Sequence, residues 1–415
     1  MLGFIILNST IFIREFIIAH KRNKQDVFIE KLDSALFTYT QKLENTYPLG
    51  FFIKLKSVVT SVDQITEYNN IVVKNKFNSA KKDTLKDDEI YVLVLGESAR
   101  KHNFSLYGYH RNTNPLLARQ KNLIKFDDVK TSAGFTHLSV PMILSRTTPQ
   151  NNTQKFSEPT LVNAFKEASF KTYWLSNQDY KSSSIFKLYA QQVDYYKNTA
   201  VSIDVPTYDE ILAKEFTTVL NDTTSKKKFI ILHLIGNHYR YNLRYPKAFQ
   251  KFNPITSNKV LFSNNEKNLK EPFTNSYDNS ILYTDYVLNL FIDALKKTKK
   301  ISYLFYISDH GENLYDTNEH LFLHGQLNPT KYELNIPLFI WLSKQYQEEY
   351  PIKTTILKEN KSKKIASTNS FHTILDLSNI TYPTEKLFKS FANKKFDSLQ
   401  KRYFYRIDKT ILKLD

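Results

Sequence analysis

Two short motifs, each directly behind an apolar run, constrain this chain most. Ile90 to Leu95 lead into Gly96-Glu97-Ser98-Ala99-Arg100, and Ile301 to Ile307 lead into Ser308-Asp309-His310-Gly311-Glu312. Such unbroken runs of apolar, β-branched and aromatic residues read as strands buried on both faces, as in a parallel sheet. In an open α/β sheet, ligands bind beyond the carboxyl ends of the strands. Glu97, Asp309 and His310 are therefore expected to meet at one sheet edge, although they are far apart in the chain. Two carboxylates and an imidazole are good ligands for a divalent metal.

The rest of the chain repeats the pattern. Thr172–Leu175, Phe229–Leu234, Tyr303–Ile307 and Pro337–Trp341 read as strands, and Thr160–Ala168 and Ile281–Leu295 as helices. In the second helix Leu282, Tyr286, Leu290 and Ala294 form a stripe, and Lys296, Lys297, Lys299 and Lys300 close it where cations suit the macrodipole. Strands alternating with helices predict an α/β fold, a three-layer α/β/α sandwich with a mainly parallel central sheet. The Asn-, Lys- and Phe-rich stretch from Phe249 to Thr274 reads as a long loop.

Three segments follow from composition. Residues 1–22 are mostly apolar, but Arg14 and Glu15 interrupt them. A spanning helix needs about 20 apolar residues, so this segment reads as a membrane-anchor remnant or an amphipathic surface helix, with His20-Lys21-Arg22-Asn23-Lys24 as a basic flank. Residues 23–88 are polar, with a helical pattern interrupted by Pro48 and Gly50, and read as a connector. Its end, from Lys81 to Asp88, reads as a solvated lead-in to the first strand. Residues 89–415 hold the motifs.

The net charge is +17. It reads either as a solvated basic surface or as attraction to membrane headgroups or lipopolysaccharide. No RNP-like or zinc-finger pattern is present, so nucleic acid is not an expected partner. The chain has no cysteine. Disulfides, thiolate metal sites and cysteine nucleophiles are excluded, while the compartment stays open.

A third motif runs from Thr131 through Ser132-Ala133-Gly134-Phe135-Thr136-His137-Leu138-Ser139-Val140-Pro141 to Met142. A helix is expected to start near Thr136. A hydroxyl there, beside a divalent cation, is favoured as its alkoxide. A threonine at a helix start is also, more commonly, a simple N-cap.

Taken together, these motifs resemble those of the phosphoethanolamine transferases of Gram-negative envelopes, members of the alkaline-phosphatase/sulfatase-like superfamily. Tyr107-Gly108-Tyr109-His110-Arg111-Asn112-Thr113-Asn114-Pro115, Gly236-Asn237-His238 and Leu323-His324-Gly325 extend the likeness in the expected order. The resemblance implies an alkaline-phosphatase-like fold and a zinc site, with a second possible, held by Glu97, Thr136, Asp309 and His310. It makes Thr136 the nucleophile, His238 and His324 the general acid/base pair, and Glu312, Asn177 and Lys181 substrate contacts. It also implies transfer of phosphoethanolamine from phosphatidylethanolamine to lipid A, lipopolysaccharide core or another envelope glycan, the modification associated with polymyxin resistance. The place would be the periplasmic face of the inner membrane.

Two departures stand out. Ala133 and Met142 occupy positions where lipid A-modifying members carry cysteines, and at most one segment resembles the family's several transmembrane helices. A sulfatase would need Cys/Ser-x-Pro-x-Arg, and after Ser139-Val140-Pro141 the chain has Ile143 in place of the arginine. A metal-dependent phosphatase or phosphodiesterase, a glycerophosphate transferase and a non-catalytic membrane-associated binder are the other readings.

Overall fold

All eight residues of the first long strand, β1 (Glu89–Gly96), are buried. This explains its lack of alternation: one set of side chains faces each layer of the sandwich. Ile90, Val92 and Val94 enter one apolar cluster. On the opposite face Tyr91 stacks on Tyr303 with ring centroids 4.6 Å apart. The computed structural model describes residues 66–85, 88–178, 184–256 and 269–415. The expected membrane segment, most of the connector and Lys181 lie outside these residues. Among the described residues no helix is long and apolar enough to cross a membrane.

Within the unit Ile71–Asp415, β1 is joined by β2 (Leu123–Lys125), β3 (Lys171–Ser176), β4 (Tyr195–Asn198), β5 (Lys227–His233), β6 (Ile301–Ser308) and β7 (Leu338–Leu342). The sheet order is β2-β7-β6-β1-β5-β3-β4. The five strands from β6 to β4 are parallel, and β7 runs antiparallel to both β6 and β2. The mainly parallel sheet is thus present, with an antiparallel margin. Register places Leu95 opposite His233 and Ile307, and Gly96 opposite Ser308. The residues that follow these strands therefore emerge side by side.

The longer helices of this unit among the described residues are α1 (Thr136–Leu144), α2 (Leu161–Glu167), α3 (Ser184–Ala190), α4 (Ile211–Leu220), α5 (Lys270–Thr298), α6 (Pro351–Glu359) and α7 (Ser370–Leu377). α4 and α5 cover one face, with Leu212, Phe216, Leu288 and Phe291 in the cluster. α2 covers the other, with Phe165 stacked on Phe229 at 3.8 Å. Each such fully buried side chain contributes roughly 1.5–3 kcal/mol.

Several expectations are corrected. α5 begins at Lys270, inside the stretch expected to be loop. Its deepest stripe is Ile281, Leu288, Phe291, Ile292 and Leu295, not the Leu282–Ala294 series, of which Tyr286, Leu290 and Ala294 are only half-buried. The first turns of α5 bury Asn275, Ser276, Asp278 and Asn279, because they bind loops rather than pack in the core. Asp278 pairs with Arg111 at 2.8 Å, and Tyr277 donates to the Ser98 carbonyl at 2.7 Å. The supposed lead-in is also part of the fold. Ala80–Lys81 pairs with Ile380–Thr381, and Lys81 bonds the buried Glu89 carboxylate at 2.7 Å.

Candidate metal centre

Glu97 follows β1 and Asp309 follows β6, adjacent strands whose last residues are partners. The loop between β1 and its first 3-10 turn is held open by Ser98, whose φ of +54° lies in the left-handed region that L-residues rarely adopt. That conformation turns the Ser98 N–H onto Asp309 Oδ1 at 3.0 Å and the Ser98 hydroxyl onto Glu97 Oε1 at 2.8 Å. The loop after β5 closes the floor. Asn237 N–H bonds the Glu97 carbonyl at 3.0 Å, and a Cβ on Gly236 would meet Glu97 backbone at 3.0 Å.

Thr136 is the first residue of α1, and Phe135 takes the N-cap position. The threonine hydroxyl makes no capping bond. It donates to Glu97 Oε2 at 3.1 Å and lies 3.4 Å from His310 Nε2. His310 Nε2 is in turn 3.5 Å from Glu97 Oε1 and 3.3 Å from Asp309 Oδ2. The four side chains singled out in the sequence thus face one point. Around a tetrahedral zinc with bonds near 2.0–2.1 Å, ligand atoms lie about 3.3 Å apart. The observed separations match that spacing.

The donor chemistry fits a cation equally well. Asp309 Oδ2 is buried and has no hydrogen-bond partner among the described residues. Burial and the nearby Glu97 charge push the Asp309 carboxyl up to about 7. Burial is the largest single influence on Glu97 and works against its charge, but His310, His238, His324 and the Ser98 hydrogen bond together outweigh it and bring that carboxyl down to about 2. His310 Nδ1 is 3.0 Å from the Gly311 carbonyl, which can only accept, so Nδ1 carries the proton and Nε2 is the atom aimed at the carboxylates. Burial opposes charge on this ring, yet Asp309 and Glu97 raise its affinity for a proton. A metal ion held at the same point would satisfy all of these groups at once.

Beside this centre lies a relay that sequence reading only half anticipated. His324 Nδ1 donates to Glu312 Oε2 at 2.6 Å, and the Tyr241 hydroxyl donates to Glu312 Oε1 at 2.6 Å. Both Glu312 oxygens are therefore occupied, whereas Asp309 has hydrogen-bond partners on Oδ1 alone among the described residues. His310, Glu312 and His324 form a second group with ligand atoms close together, and the His310 and His324 rings lie 3.9 Å apart. Burial, then the charge of His310, hold His324 well below the usual histidine range. It is thus neutral at pH 7, with Nε2 free to take a proton. His238 sits half-buried on the loop after β5, its Nδ1 3.3 Å from the Tyr239 carbonyl, which leaves its Nε2 free as well.

Asn177 is not turned toward this centre. It is buried, donates to Asp209 Oδ1 at 2.9 Å, and accepts from Thr199 at 3.2 Å. The neighbouring Gln178, which the sequence reading passed over, donates to Glu97 Oε2 at 2.9 Å and to the Leu234 carbonyl at 2.8 Å. It steadies the carboxylate that meets Thr136. Its position beyond β3 was the available signal, since β3 ends at the same sheet edge as β1. Tyr241 carried no comparable signal, because its partner is distant in the chain. Ser139 and Ile143, the residues relevant to a sulfatase motif, are both fully buried in α1.

Two outcomes follow from this geometry. Tyr241→Phe should lower the turnover rate by about tenfold or more, since Glu312 loses a fixed donor and His324 its orientation. Steady-state kinetics would show it as a fall in kcat with KM largely kept. Gly311→Ala should destabilise the protein by about 1–3 kcal/mol, as overpacked sites do. A Cβ there would lie 2.0 Å from the Tyr332 carbonyl oxygen, and thermal unfolding would measure the loss.

The sulfatase family model matches residues 89–380. The phosphoethanolamine transferase EptC of Escherichia coli strain K12 is 30% identical over 376 residues, which cover 88% of this chain and 64% of that relative. The chain thus spans less than two thirds of that transferase's length. The crystal structure of the C-terminal periplasmic domain of E. coli EptC in complex with Zn superposes with a TM-score of 0.72 at 30% identity, covering 82% of this chain and 96% of that one. The integral membrane lipooligosaccharide phosphoethanolamine transferase A (EptA) of Neisseria meningitidis gives 0.67 at 25% identity, covering 88% and 70%.

Proposed function

The chain belongs to the sulfatase family, in its phosphoethanolamine transferase branch, and from that premise we propose that it moves phosphoethanolamine from phosphatidylethanolamine to lipid A, lipopolysaccharide core or another envelope glycan. It works at the periplasmic face of the inner membrane, attached through its N-terminal segment. The observation that carries this reading is the Thr136 hydroxyl, placed between Glu97 and His310 rather than capping its helix.

Glu97, Thr136, Asp309 and His310 would hold one zinc ion. When bound, it supplies positive charge that favours the Thr136 alkoxide and offsets charge on the phosphoryl oxygens. In the first step a bond forms between Thr136 Oγ1 and phosphorus, and the bond to the diacylglycerol oxygen breaks. The threonine proton ends on that oxygen, with His238 as carrier. In the second step an acceptor hydroxyl attacks phosphorus and the bond to Thr136 breaks. His324 Nε2, neutral and lacking a proton, takes the acceptor's proton. Glu312 holds the ring through Nδ1 and balances the imidazolium as it forms. Gln178 and Ser98 keep Glu97 from following the threonine.

Mass spectrometry of the protein after incubation with phosphatidylethanolamine tests this scheme. A phosphoethanolamine adduct on Thr136 is expected, discharged on addition of acceptor. Phosphate released to water with no adduct would identify a phosphatase instead.

A further inference from the structure

A cavity of ≈ 240 Å³ opens between the loop that leads to Thr136 and the C-terminal segment, and none of its lining residues belongs to the metal centre. Four cationic side chains line it, Lys364, Lys389, Lys401 and Arg402, against one carboxylate, Asp397. The buried Arg402 is already paired with Asp128 at 2.7 Å and with Asp415, and Lys364 lies 3.4 Å from Asp415. Lys389 and Lys401 have no carboxylate partner among the described residues. Lys389 is half-buried, so its ammonium loses hydration without gaining a counter-charge; burial, then Lys386, lower its pKa.

Two further features point inward. Ser132 lines the cavity at 1% exposure, and its hydroxyl has no hydrogen-bond partner among the described residues. Thr368 and Asn369, also in the lining, immediately precede α7, so the positive end of that helix adds to the field. Two unneutralised ammonium groups, an idle hydroxyl and a helix start make a donor set for a tetrahedral oxyanion.

We propose that this cavity binds a phosphate monoester carried by a sugar or a lipid. Ser132 is four residues before Thr136, and four extended residues span at most about 14 Å. Ser132, in the lining, therefore lies within that span of the nucleophile, a length on the scale of a di- or trisaccharide. Taken with the transferase reading, on which this last step alone rests, the cavity anchors an acceptor that carries a phosphate remote from the reacting hydroxyl.

The test is calorimetric titration of the full chain, treated with a chelator so that no ion draws the ligand to Thr136, with inorganic phosphate as the probe. One site is expected in the native protein and in Thr136→Ala. It should weaken by about tenfold or more in the Lys389→Gln/Lys401→Gln double variant, as loss of charged hydrogen bonds does, and also in Ser132→Ala. Unchanged affinity in the double variant, or no binding up to about 10 mM phosphate, a Kd tenfold weaker than 1 mM, overturns the proposal. Displacement of the phosphate by glucose 1-phosphate marks a sugar-borne ligand, and displacement only by vesicles containing phosphatidic acid marks a lipid-borne one. Failure here leaves the Thr136 adduct untouched, and absence of the adduct leaves phosphate binding untouched.

Discussion

Thr136→Ala should lower transfer by at least about a thousandfold, the scale on which enzymes lose their covalent nucleophile, while the protein folds and still binds zinc, more weakly. The hydroxyl makes no capping bond, so α1 loses no cap when it goes. What is lost is the atom that meets phosphorus. Thr136→Ser keeps an oxygen in place and should retain a measurable fraction of the rate. Single-turnover assays with phosphatidylethanolamine, read by diacylglycerol release, separate these outcomes. Full activity in the alanine variant would exclude the covalent route.

Chelation of zinc should abolish transfer, and added zinc should restore it. The same experiment has a physical readout that needs no substrate. A ligand that binds only the native state stabilises it by about 4 kcal/mol at a thousandfold excess over Kd, so the melting temperature should rise with zinc. The gain should grow with pH. Asp309, raised to about 7, carries a proton below that value, and the ion must displace it. Zinc affinity therefore falls as pH drops below about 7, by up to about tenfold per unit for each proton displaced. The metal-free protein behaves in the opposite sense. A carboxyl with its folded pKa above its unfolded value favours the fold at low pH, and that contribution fades as pH rises through about 7. Zinc should accordingly raise the melting temperature more at pH 8 than at pH 6. Asp309→Asn should remove most of both effects, and an unaltered zinc response in that variant would rule out this centre.

The parallel core was legible because Ile90–Leu95 and Ile301–Ile307 are too uniformly apolar to be anything but doubly covered strands. β2 and β4 were not. They are short, lie at the two edges, and each carries a lysine, half-buried in β2 and exposed in β4, so neither period nor composition marks them. The start of α5 was missed for the opposite reason. Its first turns are buried yet polar, and a helix that buries asparagine and aspartate against loops has no apolar stripe to detect. At the site, the residues directly after long strands could be named from the chain alone. Gln178 and Tyr241 act through contacts that only folding creates. The placement of Asn177 shows the converse: a residue in a motif can be turned inward to brace a loop.

The pairing of Gly96 with Ser308 has a consequence for which ions the protein accepts. Neighbouring strands sit about 4.8 Å apart and are locked there by peptide hydrogen bonds. Two of the four donors follow adjacent strands of that lattice, so their backbones cannot drift apart. Calcium wants six to eight oxygen ligands, whereas Glu97, Thr136, Asp309 and His310 offer four donors, one of them a ring nitrogen. A donor set so few in number and so firmly seated suits a four-coordinate ion better than a large, many-liganded one.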